Sequence, residues 1–174
     1  VTAIRQEAPV IVTSDVLVEA PLWGEAAEWQ ALIDGAIAQS AALADAEIVA
    51  GSEVSIVLTD DARIRRLNRD HRGIDKATNV LSFPQDDPDA EAYGPLLGDI
   101  VIAHETVARE AVDGGLSFRH HLTHLVVHGF LHLVGYDHMH DDEAEEMERL
   151  ETSILAVLGI PDPYADPPMS GEGR

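Results

Sequence analysis

The sequence predicts an α+β fold in one domain, with a mixed four-stranded sheet packed against helices. Three observations predict it. Short runs rich in β-branched residues alternate with longer stretches whose apolar residues recur at helical spacing. The strand-like runs come early and lie close together, whereas the last third of the chain reads as helix, in the order β-α-β-α-β-β-α-α-α. A chain of 174 residues with 45% hydrophobic content is also long enough to bury one substantial core.

The first strand is "VIVTSDVLVE" at 10–19, and after Pro21 the spacing of Trp29, Leu32, Ile33, Ile37 and Ala41 predicts a helix from Trp23 to about Ala42. "EVSIVL" at 53–58 is a second strand. "TDDARIRRLNRD" opens with capping residues, sets Ile64 and Leu67 on one side, and ends near Gly73. "TNVLSFP" at 78–84 is a third strand, stopped by Pro84. "QDDPDAEAYGP" at 85–95 is acidic, carries two prolines and a glycine, and reads as a mobile loop. "LGDIVIA" at 97–103 is the fourth strand, and a helix follows from about His104 to Val112. Ser117 can cap a further helix running to about Val134, which Gly135 is placed to end. Asp141 or Asp142 is expected to cap the last helix, with Ala144, Met147, Leu150, Ile154 and Val157 on one face and Gly159 and Pro161 as its stop. The domain is expected to span 1–160, with the proline-rich 161–174 as a disordered tail.

Composition narrows the chemistry. There is no cysteine, so disulfides and thiolate metal sites are excluded, and histidine and carboxylate remain as metal ligands. No apolar run approaches the roughly 18 residues of a membrane span, and "VTAIRQEAPVIV" lacks a secretory pattern, so a cytoplasmic location without membrane partners is expected. The net charge is −21, from 32 acidic and 11 basic residues, which argues against broad nucleic-acid binding. The basic residues are nevertheless concentrated. Residues 60–76 hold six of them (Arg63, Arg65, Arg66, Arg69, Arg72 and Lys76) against four aspartates. Such a strip on an acidic body can focus an anionic ligand, or it can be a solvated helix face with mixed charges.

Seven of the nine histidines fall between His120 and His140, and "HGFLHLVGYDH" at 128–138 sets three of them at spacings of four and six. Positions four apart lie about 40° apart on one helix face, so His128 and His132 can present two nitrogens to one point. Gly135 permits a sharp turn, and His138 can then fold back to the same place. Three neutral nitrogen ligands with an open fourth position describe a catalytic Zn2+ site, one ion per chain. The spacing is the zincin-like HxxxHxxGxxH pattern. His124, one turn earlier on the same face, can hydrogen-bond near the site. One position departs from the metalloprotease version: Gly129 stands where those enzymes place the glutamate base. A metallopeptidase-like hydrolase is therefore the weaker reading, and phosphodiester cleavage assisted by an arginine the better one.

With these segments in view, the chain resembles the YbeY family of bacterial endoribonucleases and ribosomal RNA maturation factors. The likeness runs from about Glu53 to Tyr164, through "LNRDHRGIDKATNVLSFP", "LLGDIVI", "HLVVHGFLHLVGYDH" and "DDEAEEMERLE". It implies a metal-dependent endonuclease on single-stranded RNA, acting in 16S rRNA 3′-end processing and ribosome quality control, with the ribosome or ribosomal proteins as partners. It implies His128, His132 and His138 as zinc ligands and Arg72 as the functional arginine. His71 stands where the family carries tyrosine in "YRG". A non-catalytic ribosome assembly factor with a structural zinc is the remaining alternative, since an acidic surface could meet basic ribosomal proteins.

Overall fold

A computed structural model describes residues 11–165. The strands are β1 (Val12–Val18), β2 (Ser52–Thr59), β3 (Val80–Pro84) and β4 (Leu96–Ala103). The helices are α1 (Ala27–Leu43), α2 (Asp61–Arg72), α3 (His104–Gly114), α4 (Phe118–Leu133) and α5 (Asp141–Val157). The sheet order is β1-β2-β4-β3, with β1, β2 and β4 parallel and β3 antiparallel to β4. The expected mixed four-stranded sheet among helices is therefore the fold.

Alternation along the strands decides which helix lies where. Val54, Ile56, Leu58, Ile100 and Ile102 point to one face, where they are buried with residues of α1, α4 and α5. Leu81, opposite Val101 in the register, faces the other way and packs with Ile64 of α2. α4 is buried almost throughout because α1, α3, α5 and the sheet all pack against it. Each fully buried aliphatic side chain here contributes about 1.5–3 kcal/mol, so α4 is the element least free to move.

Four points differ from the sequence expectation. The first helix begins at Ala27, because Pro21–Trp23 forms a separate 3-10 turn closed by Gly24 at φ +74°. Trp23 is thereby turned into the core, where its indole N–H donates to the Thr59 carbonyl at 2.8 Å. In α5, His140 occupies the N-cap without a side-chain bond, and Asp141, Asp142 and Glu143 fill the first turn, where the helix dipole favours negative charge. Val157 is exposed, and Glu151 and Leu155 take its place among the buried residues of that helix. Of the tail expected from 161 onward, residues 161–165 form a turn that brings Tyr164 against α5, and 166–174 lie outside the described residues.

The acidic loop 85–95 is tied at several points. Tyr93 is buried and forms a β-bridge with Ile48, its N–H donating to the Glu47 carbonyl and its own carbonyl accepting from Val49 N–H, both at 2.9 Å. Its phenol donates to the Pro88 carbonyl at 2.5 Å, and Gly94 N–H donates to the Asp86 carboxylate. These bonds fix Pro88 at the rim of the histidine groove described next.

Candidate metal centre

α4 starts where Ser117 accepts a hydrogen bond from His120 N–H at 3.0 Å, the capping role its sequence position implied. His128 and His132 emerge one turn apart near its C-terminal end. The chain then turns through Gly135 at φ +95°, a conformation that favours glycine, and a β-carbon there would lie 2.6 Å from the Pro88 carbonyl. Beyond the turn, Asp137 accepts the His138 N–H at 2.7 Å, and His138 returns over the helix end. The three side chains meet as the spacing predicts: one nitrogen from each lies within 4.8 Å of the others.

The proton positions follow from the partners of each ring. His132 Nδ1 faces the Tyr136 carbonyl at 2.9 Å, and a carbonyl only accepts, so this nitrogen carries the hydrogen. His128 Nδ1 lies 2.5 Å from Glu151 Oε1 and donates to that carboxylate. Both Nε2 atoms are left as lone pairs, and they face each other at 3.0 Å. Burial, reinforced by the neighbouring His128 and His138, pushes the His132 pKa down to about 4, so His132 supplies no proton to relieve this opposition at neutral pH. A cation between the nitrogens would. Tetrahedral coordination at zinc–nitrogen distances separates two ligand nitrogens by about 3.3 Å, close to the spacing observed. The donor set fits, and the three imidazoles can hold a metal ion.

The centre opens into a groove of about 890 Å³ lined also by Arg72, Asn79, His121, His124, Asp137 and Tyr164. Arg72 is the last residue of α2, which ends in Gly73 at φ +72°, and Asn68 holds the following turn by donating to the Lys76 carbonyl. The neighbouring carboxylate Asp75 is taken by Arg65, with bonds of 2.8 and 3.3 Å. Arg63 meets Glu19 and Arg69 meets Asp70, but among the described residues Arg72 makes no ion pair. The basic strip is thus divided: part of it is a mixed-charge helix face, and Arg72 faces the groove. His71, which stands where the family carries tyrosine, packs against Phe83 with ring centres 5.0 Å apart.

Gly129 does not face the groove. A β-carbon built there would meet Ile100 at 2.8 Å and the Ser82 hydroxyl at 3.2 Å, and Ser82 donates to the Gly129 carbonyl at 3.0 Å. Glycine lets α4 lie directly on β3 and β4. A glutamate at this position would be driven into the sheet, so the protease base is absent for a reason of packing.

Two side chains at the centre escaped the sequence reading. Glu151 is fully buried on α5; besides His128 it accepts from the Tyr164 hydroxyl, and His124 lies 3.6 Å away. Burial opposes its ionisation, but the nearby His124 and the hydrogen-bonded His128 outweigh this and hold its pKa down at about 2. Burial and the adjacent Glu151 carboxylate raise the Tyr164 phenol, which therefore stays protonated and donates. One signal was readable: Glu151 follows Met147 by four residues and precedes Ile154 by three, which puts a carboxylate on the apolar face of α5.

Comparison with known proteins places the chain among relatives of one name. The chain is 56% identical over 164 residues to endoribonuclease YbeY of Bradyrhizobium diazoefficiens, covering 92% of this chain and 89% of that one. It is 51% identical to the protein of the same name from Methylocella silvestris, covering 94% and 90%. A Thermotoga maritima protein solved in solution shares the fold, with a TM-score of 0.51 and 21% identity over 88% of this chain and all of that one. The sequence profile described as "Endoribonuclease YbeY" matches residues 23–159, and the chain belongs to that family.

Proposed function

We propose that this protein is a zinc-dependent endoribonuclease specific for single-stranded RNA, acting in 16S rRNA 3′-end maturation and ribosome quality control in the cytoplasm. The observation that carries the reading is the meeting of His128, His132 and His138 at one end of a groove that Arg72 also lines. The relatives' own name supports phosphodiester cleavage. Three imidazoles without a thiolate suit zinc. Among the described residues no helix is long and apolar enough to cross a membrane. The ribosomal role, with ribosomal RNA and ribosomal proteins as partners, rests on the family resemblance.

The three imidazoles hold one zinc ion per chain. Bound there, the ion supplies Lewis acidity and brings the pKa of a water towards about 7. The Glu151 carboxylate and the Tyr136 carbonyl keep the hydrogens of His128 and His132 on Nδ1, away from the ion. Arg72 stays charged at any working pH, can grip a phosphate with two parallel hydrogen bonds, and opposes the charge that grows on the phosphodiester. A peptidase reading lacks a carboxylate beside the first ligand, because position 129 points into the sheet. The test is cleavage of a labelled single-stranded RNA by the zinc-loaded chain, with His132→Ala as control. Equal cleavage by both would defeat the proposal.

A further inference from the structure

Glu151 is fully buried and pairs with no lysine or arginine among the described residues. Removing a carboxylate from water is costly unless its partners compensate. Its partners here are an imidazole N–H, a phenol and a second imidazole. It reaches them from α5, across the helix interface, 23 residues from His128.

We propose that Glu151 is the positioning residue of the metal centre: it locks His128 in the Nδ1–H form with Nε2 aimed at the ion, and Tyr164 holds it in that role. This deepens the metal-site reading and rests on it. The orienting logic is general. A carboxylate on the far nitrogen fixes a ligand imidazole's tautomer and raises its basicity. The geometry meets each requirement. Glu151 Oε1 engages His128 Nδ1, while Oε2 accepts from the Tyr164 hydroxyl, so the carboxylate cannot rotate away. The Tyr164 phenol also contacts His124 Nε2 at 3.3 Å, and Tyr164 itself is anchored by its N–H on Asp162. The segment after α5 is in this way joined to the metal centre. His132 has no carboxylate; its Nδ1 is held by the Tyr136 carbonyl. The two ligands are therefore fixed by different means, and only the first depends on a charge from another helix.

The test uses the full chain and two variants. Glu151→Gln keeps the shape and an acceptor but removes the charge; Tyr164→Phe keeps the charge but removes its clamp. Zinc affinity is measured by competition with a chromogenic chelator, and folding by circular dichroism. Nitrogen-15 NMR of the metal-free protein reads which His128 nitrogen carries the hydrogen. The expected results are zinc binding weakened about 10–100-fold in Glu151→Gln, a smaller loss in Tyr164→Phe, and Nδ1–H at His128 in the wild type. Wild-type zinc affinity in a folded Glu151→Gln chain would overturn the proposal, as would an Nε2–H form of His128. A wild-type chain that takes no zinc would instead defeat the metal reading, and the NMR result would still decide whether Glu151 sets the tautomer.

Discussion

His104 and His132 are both partly buried imidazoles whose pKa is lowered first of all by burial, yet they lie in unlike regions. His104 sits in an aromatic cluster, its ring 4.9 Å from Trp23 and 4.9 Å from Phe118, with Trp29 packed behind Trp23 at 5.4 Å. It behaves as one more flat apolar surface. His132 sits among His128 and His138, with ring centres 4.5 and 5.0 Å away, and opens to a groove. Burial makes both rings neutral. What separates packing from metal binding is the neighbours each ring meets: aromatic side chains in the first case, two more imidazoles in the second.

The sharpest way to break this comparison is to remove each ring in turn. His132→Ala should lose most of the bound zinc and, with it, RNA cleavage, since two histidines hold the ion poorly. His104→Ala should keep one zinc per chain while losing roughly 1–3 kcal/mol of stability through the cavity in the aromatic cluster. Elemental analysis and urea unfolding of both variants check this. Full zinc in His132→Ala would remove the distinction altogether.

The next largest effect concerns the divided basic strip. Arg72→Ala should lower kcat on RNA by about 10²–10³ with a modest change in KM, because a group that opposes transition-state charge is lost. Arg65→Ala removes an exposed pair with Asp75, and such pairs contribute about 0–1 kcal/mol. Its kinetics should match the wild type. Equal rates for Arg72→Ala and Arg65→Ala, both folded and zinc-loaded, would return Arg72 to the solvated helix face.

A smaller effect is expected at Gly129. Alanine is the better helix former, but its β-carbon would press on Ile100 and Ser82. Crowding of this kind typically costs about 1–3 kcal/mol, so Gly129→Ala should unfold at lower urea concentration. A more stable Gly129→Ala chain would mean that α4 can lift from the sheet.

Much of this was legible because it depends on local pattern. The four strands, the Ser117 cap, the Gly73 and Gly135 turns and the three clustered histidines all follow from spacing and turn chemistry within a dozen residues. Glu151 and Tyr164 were not read because their roles depend on α5 and the segment after it meeting α4, in contacts between residues 23 and 40 positions apart. The anchoring of the 85–95 loop was not legible for a similar reason. Its composition is that of a loop, but Tyr93 reaches back to Ile48, and no local signal announces that bridge. Gly129 was read as a missing base, whereas only the sheet beneath it explains why a side chain is excluded.

The last expected effect is on stability against pH in the metal-free chain. His132 has a folded pKa of about 4 against an ordinary value of 6.5. Between those values the unfolded chain binds more protons, so stability rises with pH across that window and is lost as pH falls from 6.5 towards 4. His104 is shifted in the same direction and adds to the same loss. Glu151, held down at about 2, contributes stability present above pH 4.5 and lost below it, a second and more acidic limb. Urea midpoints of chelator-treated protein should therefore stay flat above pH 6.5 with respect to these groups and then decline in two stages. His132→Asn should flatten the first stage more than His104→Phe does, because His132 also faces two other imidazoles that resist its protonation. An equal change in both variants would mean that burial alone sets the first stage, and that the neighbouring rings add nothing.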